Sequence, residues 1–346
     1  MNYLVTGGAG YFGTVLILNL LKDENNKIIC YDLNASHIKH KNLTSIIGDI
    51  RDKDKLNSSL KFIDVVFHNV AQVPLAKDKE LFWSVNRDGT KNLLDCCLAA
   101  KVSKLVYTSS SAVFGVPKSN PVFNDTTPTP AEEYGQAKMA GELLCHQYIE
   151  KGLNCTIIRP RTILGTGRLG IFQILFEWIY QGKNIPVIGG GKNIYQFIHA
   201  DDLALACIIS SKLEKNYILN VGTTEFGTMR EILESLIIHA GTGSKIKSLP
   251  LYLTEKIMNI SSSLGFSPLG PYHSLMYGRS LYFDTNETNE ILNFKPKFSN
   301  KQMIILNYDW YSDNRKEILS IKDNRSLHQS PLKQKILSLL PYFLKY

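Results

Sequence analysis

The chain opens on a short apolar strand, Asn2-Tyr-Leu-Val-Thr6. It runs directly into Gly7-Gly-Ala-Gly10-Tyr-Phe-Gly13 and then into a helical run, Thr14 to Leu21. A strand, a glycine turn and a helix in that order constrain the fold more than any other stretch here. Glycines let the backbone approach a pyrophosphate closely, and a helix N-terminus offers unpaired N–H groups and a favourable dipole. The spacing is Gly7-x-x-Gly10-x-x-Gly13 rather than the commoner G-x-G-x-x-G, so context must support it. A second apolar run, Lys27–Tyr31, ends in Asp32, about 20 residues beyond the turn, where a carboxylate takes ribose hydroxyls. No arginine directly follows Asp32 to receive a 2′-phosphate, which favours NAD over NADP. The plainer alternative for Asp32 is a strand-end turn residue.

Further apolar runs at Thr44–Ile47, Val65–His68, Leu105–Thr108 and Cys155–Arg159 alternate with helical patterns such as Gly89–Ala100 and Gly135–Ile149. Such alternation predicts an α/β fold with a doubly wound parallel sheet. Beyond Pro160 the pattern loosens. Strand-like pieces lie at Ile185–Ile188, Tyr195–His199, Tyr217–Val221 and Leu281–Phe283, with helices at Ile171–Gln181, Asp202–Ser211 and Met229–His239. The expected organisation is a dinucleotide-binding domain over 1–160, to which later segments return, a smaller substrate-binding lobe over 161–311 and a basic tail over 312–346. At 346 residues the chain can bury a large core. No apolar stretch reaches the roughly 18 residues of a spanning helix. The chain enters a strand at once, so no signal peptide is expected. The six cysteines (30, 96, 97, 145, 155, 207) form no C-x-x-C pair and no metal-ligand spacing. Reduced thiols in a cytoplasmic protein, with no metal, are the expectation.

Tyr134 and Lys138 lie four apart in a helical run and therefore share a face. A tyrosine that exchanges a proton, beside a lysine that lowers its pKa and holds a cofactor, suits oxidation of a carbinol carbon next to a dinucleotide. An isolated tyrosine titrates near 10 and needs such a neighbour to work near neutrality. The plainer alternative is a surface pair.

At this point the chain resembles the extended short-chain dehydrogenase/reductases, in the NAD-dependent epimerase/dehydratase group. The resemblance spans roughly residues 1–311. It rests on Thr6-Gly-Gly-Ala-Gly-Tyr-Phe-Gly13, Gly48-Asp49-Ile50-Arg51-Asp52, Phe67-His-Asn-Val-Ala71, Val85-Asn86-Arg-Asp-Gly89-Thr90, Thr108-Ser-Ser-Ser-Ala-Val-Phe-Gly115, Tyr134-x-x-x-Lys138, Arg159-Pro160 and Phe197-Ile-His-Ala-Asp201-Asp202. It implies a Rossmann-type sheet and NAD as cofactor. It also implies that Ser110 bonds the substrate oxygen, Tyr134 is the acid/base and Lys138 holds the nicotinamide ribose. The cofactor contacts it implies are Gly7, Gly10, Tyr11, Phe12, Gly13, Asp32, Asp49, Ile50, Asn69, Val70, Ala71, Asn86, Thr108 and Pro160. At 69 and 70 the family usually has leucine and alanine, a mild departure.

Sugar dehydratases of the group carry an Asp-Glu pair after the catalytic hydroxyl residue. Here those positions are Ser111 and Ala112, which leaves epimerisation or net dehydrogenation. The arginine that the family places before its Phe-Ile-His-like strand is replaced by Tyr195. Arg161, Arg168 and Arg279 are the alternative anion contacts. The expected substrate is a nucleotide- or lipid-linked sugar. The proline-punctuated segment Leu264–Tyr272 resembles the substrate region of 3β-hydroxysteroid-dehydrogenase-like members, and an apolar alcohol stays open. A non-catalytic NAD-binding protein is the other class kept in view. From Asn314 onward there are seven Lys/Arg and two acids, so the tail holds +5 of the net +8. Leu332, Ile336, Leu339, Leu340 and Phe343 share one helical face there. Peripheral membrane contact through 330–346 and docking on the protein itself both stay open. With basic charge confined to the tail and no recognition motif, nucleic acid is not an expected partner. A homodimer is expected.

Overall fold

The computed structural model describes residues 1–72, 79–250, 252, 254 and 278–320. Six strands, β1 (Asn2–Thr6), β2 (Lys27–Asp32), β3 (Leu43–Ile47), β4 (Val65–His68), β5 (Lys104–Thr108) and β6 (Cys155–Pro160), join the strand Ile218–Val221 in one sheet. Every pairing is parallel, and the spatial order is Ile218–Val221, β6, β5, β4, β1, β2, β3. The order reverses between β1 and β4, so a crevice opens where Thr6 and His68 stand in register. This is the doubly wound Rossmann architecture expected from the alternation.

The helices are α1 (Tyr11–Leu20), α2 (Lys53–Ser59), α3 (Lys79–Trp83), α4 (Thr90–Ala99), α5 (Glu133–Glu150), α6 (Ile171–Tyr180), α7 (Ala200–Ser210) and α8 (Met229–Ala240). Two more span Asn286–Leu292 and Asn300–Ser320. Strands alternate their faces, and the core splits accordingly. Tyr3 and Val5 pack with Leu16 and Ile17 of α1 and Leu203 and Cys207 of α7. Leu4 and Val66 pack with Leu93 and Cys97 of α4 and Cys145 and Tyr148 of α5. The central strands β4, β5 and β6 are buried along their whole length, as continuous apolar runs between two helix layers must be. A fully buried Leu or Ile there contributes about 1.5–3 kcal/mol.

The later lobe has its own core, built on Phe176, Trp178, Tyr308 and Tyr311. Glu177 anchors it, taking Tyr311 Oη at 2.5 Å and Arg315 Nε and Nη2 at 2.8 and 2.6 Å. The helix Asn300–Ser320 therefore runs unbroken past residue 311, where the tail was expected to start.

Other details depart from the sequence reading. The first helix begins at Tyr11, three residues before Thr14. The expected strand Tyr195–His199 is two pieces. Ile194–Tyr195 pairs antiparallel with Gly227–Thr228, and Phe197–His199 pairs parallel with Thr162–Leu164. The break is Gln196, which is fully buried. Its amide donates to Thr223 O at 2.7 Å and accepts from Phe283 N at 2.8 Å. Leu281–Phe283 makes isolated bridges to Tyr195 and Val122 instead of a strand. No described helix is long and apolar enough to cross a membrane. Leu264–Tyr272 and the amphipathic stretch within 330–346 lie outside the described residues.

Candidate functional site

Because the strands are parallel, Thr6, His68, Thr108 and Pro160 all end at one edge of the sheet, and the motif residues gather there. The glycine turn is dictated by space. Gly7 has φ +69° and a β carbon on it would lie 3.0 Å from Asn69 C; on Gly13 it would lie 2.1 Å from Gly7 O. At Gly10 it would meet only Gly7 O, at 3.2 Å. Helix α1 starts straight after Gly10 with no side-chain cap, so side chains leave its first N–H groups untaken. Tyr11 and Phe12 follow, both buried. Asp32 ends β2 and accepts from Ala9 N at 3.2 Å and Asn34 N at 3.1 Å; burial raises its pKa.

Across the crevice Thr108 Oγ1 donates to Asn69 Oδ1 at 2.6 Å, while Asn69 Nδ2 is buried without an acceptor among the described residues. Val70 and Ala71 lead to Gln72, whose N and O are both held by the Asn86 amide at 2.8 and 3.2 Å. Asn86 comes from a π-helical turn, Ser84–Gly89, a rare geometry often met at functional sites. Asp49 is ion-paired with Arg51 at 2.5 Å, which holds its carboxyl below the usual range, and Ile50 packs beneath Gly89. His68 bridges Thr6 Oγ1 at 2.7 Å and Thr90 Oγ1 at 2.9 Å. Burial, and then the Lys138 charge, push its pKa down to about 3, so it is a neutral tie. An uncapped helix start, a carboxylate at a strand end and an unsatisfied buried amide suit a dinucleotide with its anionic linker and hydroxyls.

Helix α5 brings Tyr134 and Lys138 to the same edge. The Glu132 carboxylate caps it, taking Tyr134 N at 2.8 Å and Gly135 N at 2.7 Å. Its first turn presses on the short 3₁₀ turn Ser111–Phe114: a β carbon at 135 would stand 2.4 Å from Ala112 O, so only glycine fits. Ser110 caps that turn, its Oγ accepting from Ala112 N at 3.2 Å. The approach sets Ser110 beside Tyr134, where its hydroxyl favours the ionised phenol. Burial pushes the Tyr134 phenol up to about 12, opposed by the Ser110 hydrogen bond and, more weakly, by the Arg168 charge. Lys138 is 4 % exposed; its Nζ donates to Thr108 O at 2.8 Å and lies 5.2 Å from the Tyr107 ring centre. Burial pushes Lys138 down to about 8, against the pull of Glu142. Lys138 stands one helical turn from Tyr134, and the Arg168 charge also acts on the phenol.

Arg161 and Tyr195, expected at the substrate, are brought together inside the protein. Arg161 is 1 % exposed, with Nη1 on Ser111 Oγ at 2.7 Å and its guanidinium 5.0 Å from the Tyr195 ring centre. Tyr195 Oη bonds Thr162 Oγ1 at 2.9 Å. Arg279 is half-buried in the later lobe, its carbonyl reached by Asn193 Nδ2 at 3.4 Å. Pro160 is buried at the end of β6. Sequence reasoning passed over Glu142, which is buried beside Ser109 and Arg159. Its spacing of four from Lys138 on one helix face was the available signal.

A model of the NAD dependent epimerase/dehydratase family matches residues 3–222. An uncharacterized protein, y4nG of Sinorhizobium fredii, is 52% identical over 99% of this chain and 86% of its own length. A putative UDP-glucose 4-epimerase of Methanocaldococcus jannaschii is 28% identical over 77% of this chain and 92% of its own. The human sterol-4-alpha-carboxylate 3-dehydrogenase (decarboxylating) is 30% identical over 60% of this chain and 57% of its own. Among solved structures, UDP-glucuronic acid 4-epimerase from Bacillus cereus in complex with NAD superposes with a TM-score of 0.75 at 24% identity, covering 90% of this chain and 99% of that one.

Proposed function

Since this chain belongs to the NAD-dependent epimerase/dehydratase family, we propose that it is an epimerase acting on a carbinol of a nucleotide- or lipid-linked sugar, with Ser110, Tyr134 and Lys138 as its reacting groups. The observation that carries the reading is the bond from Lys138 Nζ to Thr108 O at 2.8 Å, which holds the helix of Tyr134 and Lys138 to the strand end leading into Ser110, at the same edge as the uncapped glycine turn. NAD, when bound, supplies a reversible two-electron acceptor for the carbinol carbon. Gly7, Gly10 and Gly13 would give its phosphates close backbone approach, Asp32 would take ribose hydroxyls, Asn69 would pass under the ribose and pyrophosphate, and Lys138 would hold the nicotinamide ribose.

The work of the protein is then proton handling and orientation. Ser110 Oγ and Tyr134 Oη hold one substrate oxygen between them, and Tyr134 takes or returns its proton. With its pKa near 12, Tyr134 is a phenol in the free protein and starts as a donor. It turns base only when more positive charge gathers beside it than the free protein supplies, as a bound oxidised nicotinamide would bring. Dehydration is disfavoured because Ser111 is engaged by Arg161 and Ala112 offers no carboxylate.

The relatives support the sugar reading through the UDP-glucose 4-epimerase match over nearly that protein's whole length. The sterol dehydrogenase match keeps net oxidation of an apolar alcohol as the second reading. An epimerase returns what it removes, so product forms with catalytic NAD and a carbon-bound deuterium is retained at the reacting position. Tyr134→Phe should keep NAD binding within a few-fold and lower turnover by about 10²–10⁴. Stoichiometric NADH with a stable ketone establishes the dehydrogenase instead, and full turnover by Tyr134→Phe removes the site reading.

A further inference from the structure

One turn beyond Lys138, the same helix carries Glu142, 1 % exposed. One carboxylate oxygen accepts from Ser109 Oγ at 2.5 Å and Arg159 Nε at 2.9 Å, and the other from Arg159 Nη2 at 2.6 Å. Arg159, 3 % exposed, sits next to the end of β6 with its guanidinium 5.0 Å from the Phe114 ring centre, and its Nη1 reaches Asn124 O at 3.1 Å. Asn124 Oδ1 in turn accepts from Asn220 N at 2.8 Å and Thr288 Oγ1 at 3.2 Å.

A buried ion pair is weak evidence for stability, because desolvation often cancels the attraction and apolar residues can replace it. Its location gives it a different value. Ser109 lies between Thr108, whose carbonyl holds Lys138, and Ser110, which meets Tyr134. Glu142 shares its helix with Tyr134 and Lys138. One carboxylate therefore fastens the strand end carrying Ser110 to the helix carrying the other two groups. We infer that Glu142 is a positioning residue of this site: it locks α5 onto Thr108–Ser110 and sets a carboxylate one helical turn from the buried Lys138 ammonium. The inference rests on the Ser110–Tyr134–Lys138 reading above.

The other titratable groups around Lys138 strengthen the electrostatic half. Tyr134 and Cys145 of its own helix and Tyr107 of β5 are pushed up by burial, and His68 of β4 is pushed down. All are neutral at pH 7. Arg159 of β6 approaches through Glu142 itself. Glu142 is thus the carboxylate that balances the Lys138 charge among the described residues facing it.

The test follows Lys138 directly, without substrate. In full-length protein carrying ¹³C-labelled lysine side chains, the Lys138 resonance is assigned by its loss in Lys138→Met and titrated by NMR. In Glu142→Gln its ionisation should move down by about one pH unit or more, and the alkaline limit of NAD binding should move with it. Glu142→Gln also strands the Arg159 charge, so Glu142→Leu with Arg159→Met serves as the second variant. It should fold with near wild-type stability and show the same downward shift, which a merely structural role for the pair would not produce. A Lys138 titration unmoved in either folded variant overturns the inference. The parent reading falls separately, on a turnover-competent Tyr134→Phe.

Discussion

The two flanks of the strand edge are held by different means. On the glycine-turn side the fit is made by backbone. Gly7 and Gly13 stand where a β carbon would strike Asn69 or Gly7, and the helix start offers N–H groups without a side-chain cap. On the α5 side the fit is made by buried side-chain charge, with Lys138, Glu142 and Arg159 each under 5 % exposed. A backbone cradle has nothing to titrate and fails only when its shape changes. The α5 side depends on protonation states and should respond to pH where the cradle does not.

The largest effect expected from breaking this contrast is steric. In Gly13→Ala the added atom would be 2.1 Å from Gly7 O, against rigid backbone. We expect a loss of about 1–3 kcal/mol in urea unfolding and loss of NAD binding, both independent of pH between 6 and 9 (roughly the range free of cradle titration). NAD binding by Gly13→Ala at wild-type strength would mean that the turn is not the cradle.

Lys138→Met probes the charged side. The free lysine value of 10.5 falls to about 8 in the fold, so between those values the unfolded chain binds the extra proton. Stability then rises with pH through that window, and below it the charged lysine is a cost. Relative to Lys138→Met, the wild-type protein should therefore gain about 1–3 kcal/mol from pH 8 to 10.5. The variant should unfold no more easily than wild type at pH 7 while binding NAD less well. A stability difference constant with pH would show that Lys138 is not desolvated as described.

The smallest effect sharpens the cradle's selectivity. Asp32→Ala should weaken NAD by about tenfold through lost charged hydrogen bonds and narrow the gap to NADP. It should not create NADP preference, because no arginine directly follows Asp32 to receive a 2′-phosphate. Competitive titration of both dinucleotides measures it. Equal affinity in the unmutated protein would remove the argument from Asp32.

What was legible in the sequence follows the same division. Local requirements leave local traces. The apolar runs that became β4, β5 and β6 and the glycine turn could be read, as could the Tyr134–Lys138 spacing, because sterics and periodicity write them into adjacent residues. Long-range pairing leaves none. Gln196 looks like an ordinary strand residue until Thr223 and Phe283 are placed beside it. Arg161 reads as an anion contact for the substrate, and only the fold shows it buried against Ser111 and Tyr195. Glu142 reads as a solvated helix position, and only the fold brings Arg159 and Ser109 to it. Spacing suggested Lys138 beside Tyr134, but nothing in it pointed to the loop carrying Arg168, whose charge also acts there.

The Asn124 junction sets an order of events during synthesis. Glycine turn, Ser110, Tyr134 and Lys138 have all been synthesised once residue 138 is made. Yet Arg159 leans on Asn124, whose side chain waits for Asn220 and Thr288, and the neighbouring Val122 waits for its bridge to Phe283. These contacts join parts of the chain 96 to 164 residues apart, and such distant pairings close late in folding. The growing chain thus holds every reacting group of the site long before it holds the site. A protein interrupted between residues 222 and 283 would keep the whole stretch that matches the family model and still lack the Thr288 and Phe283 contacts behind Asn124.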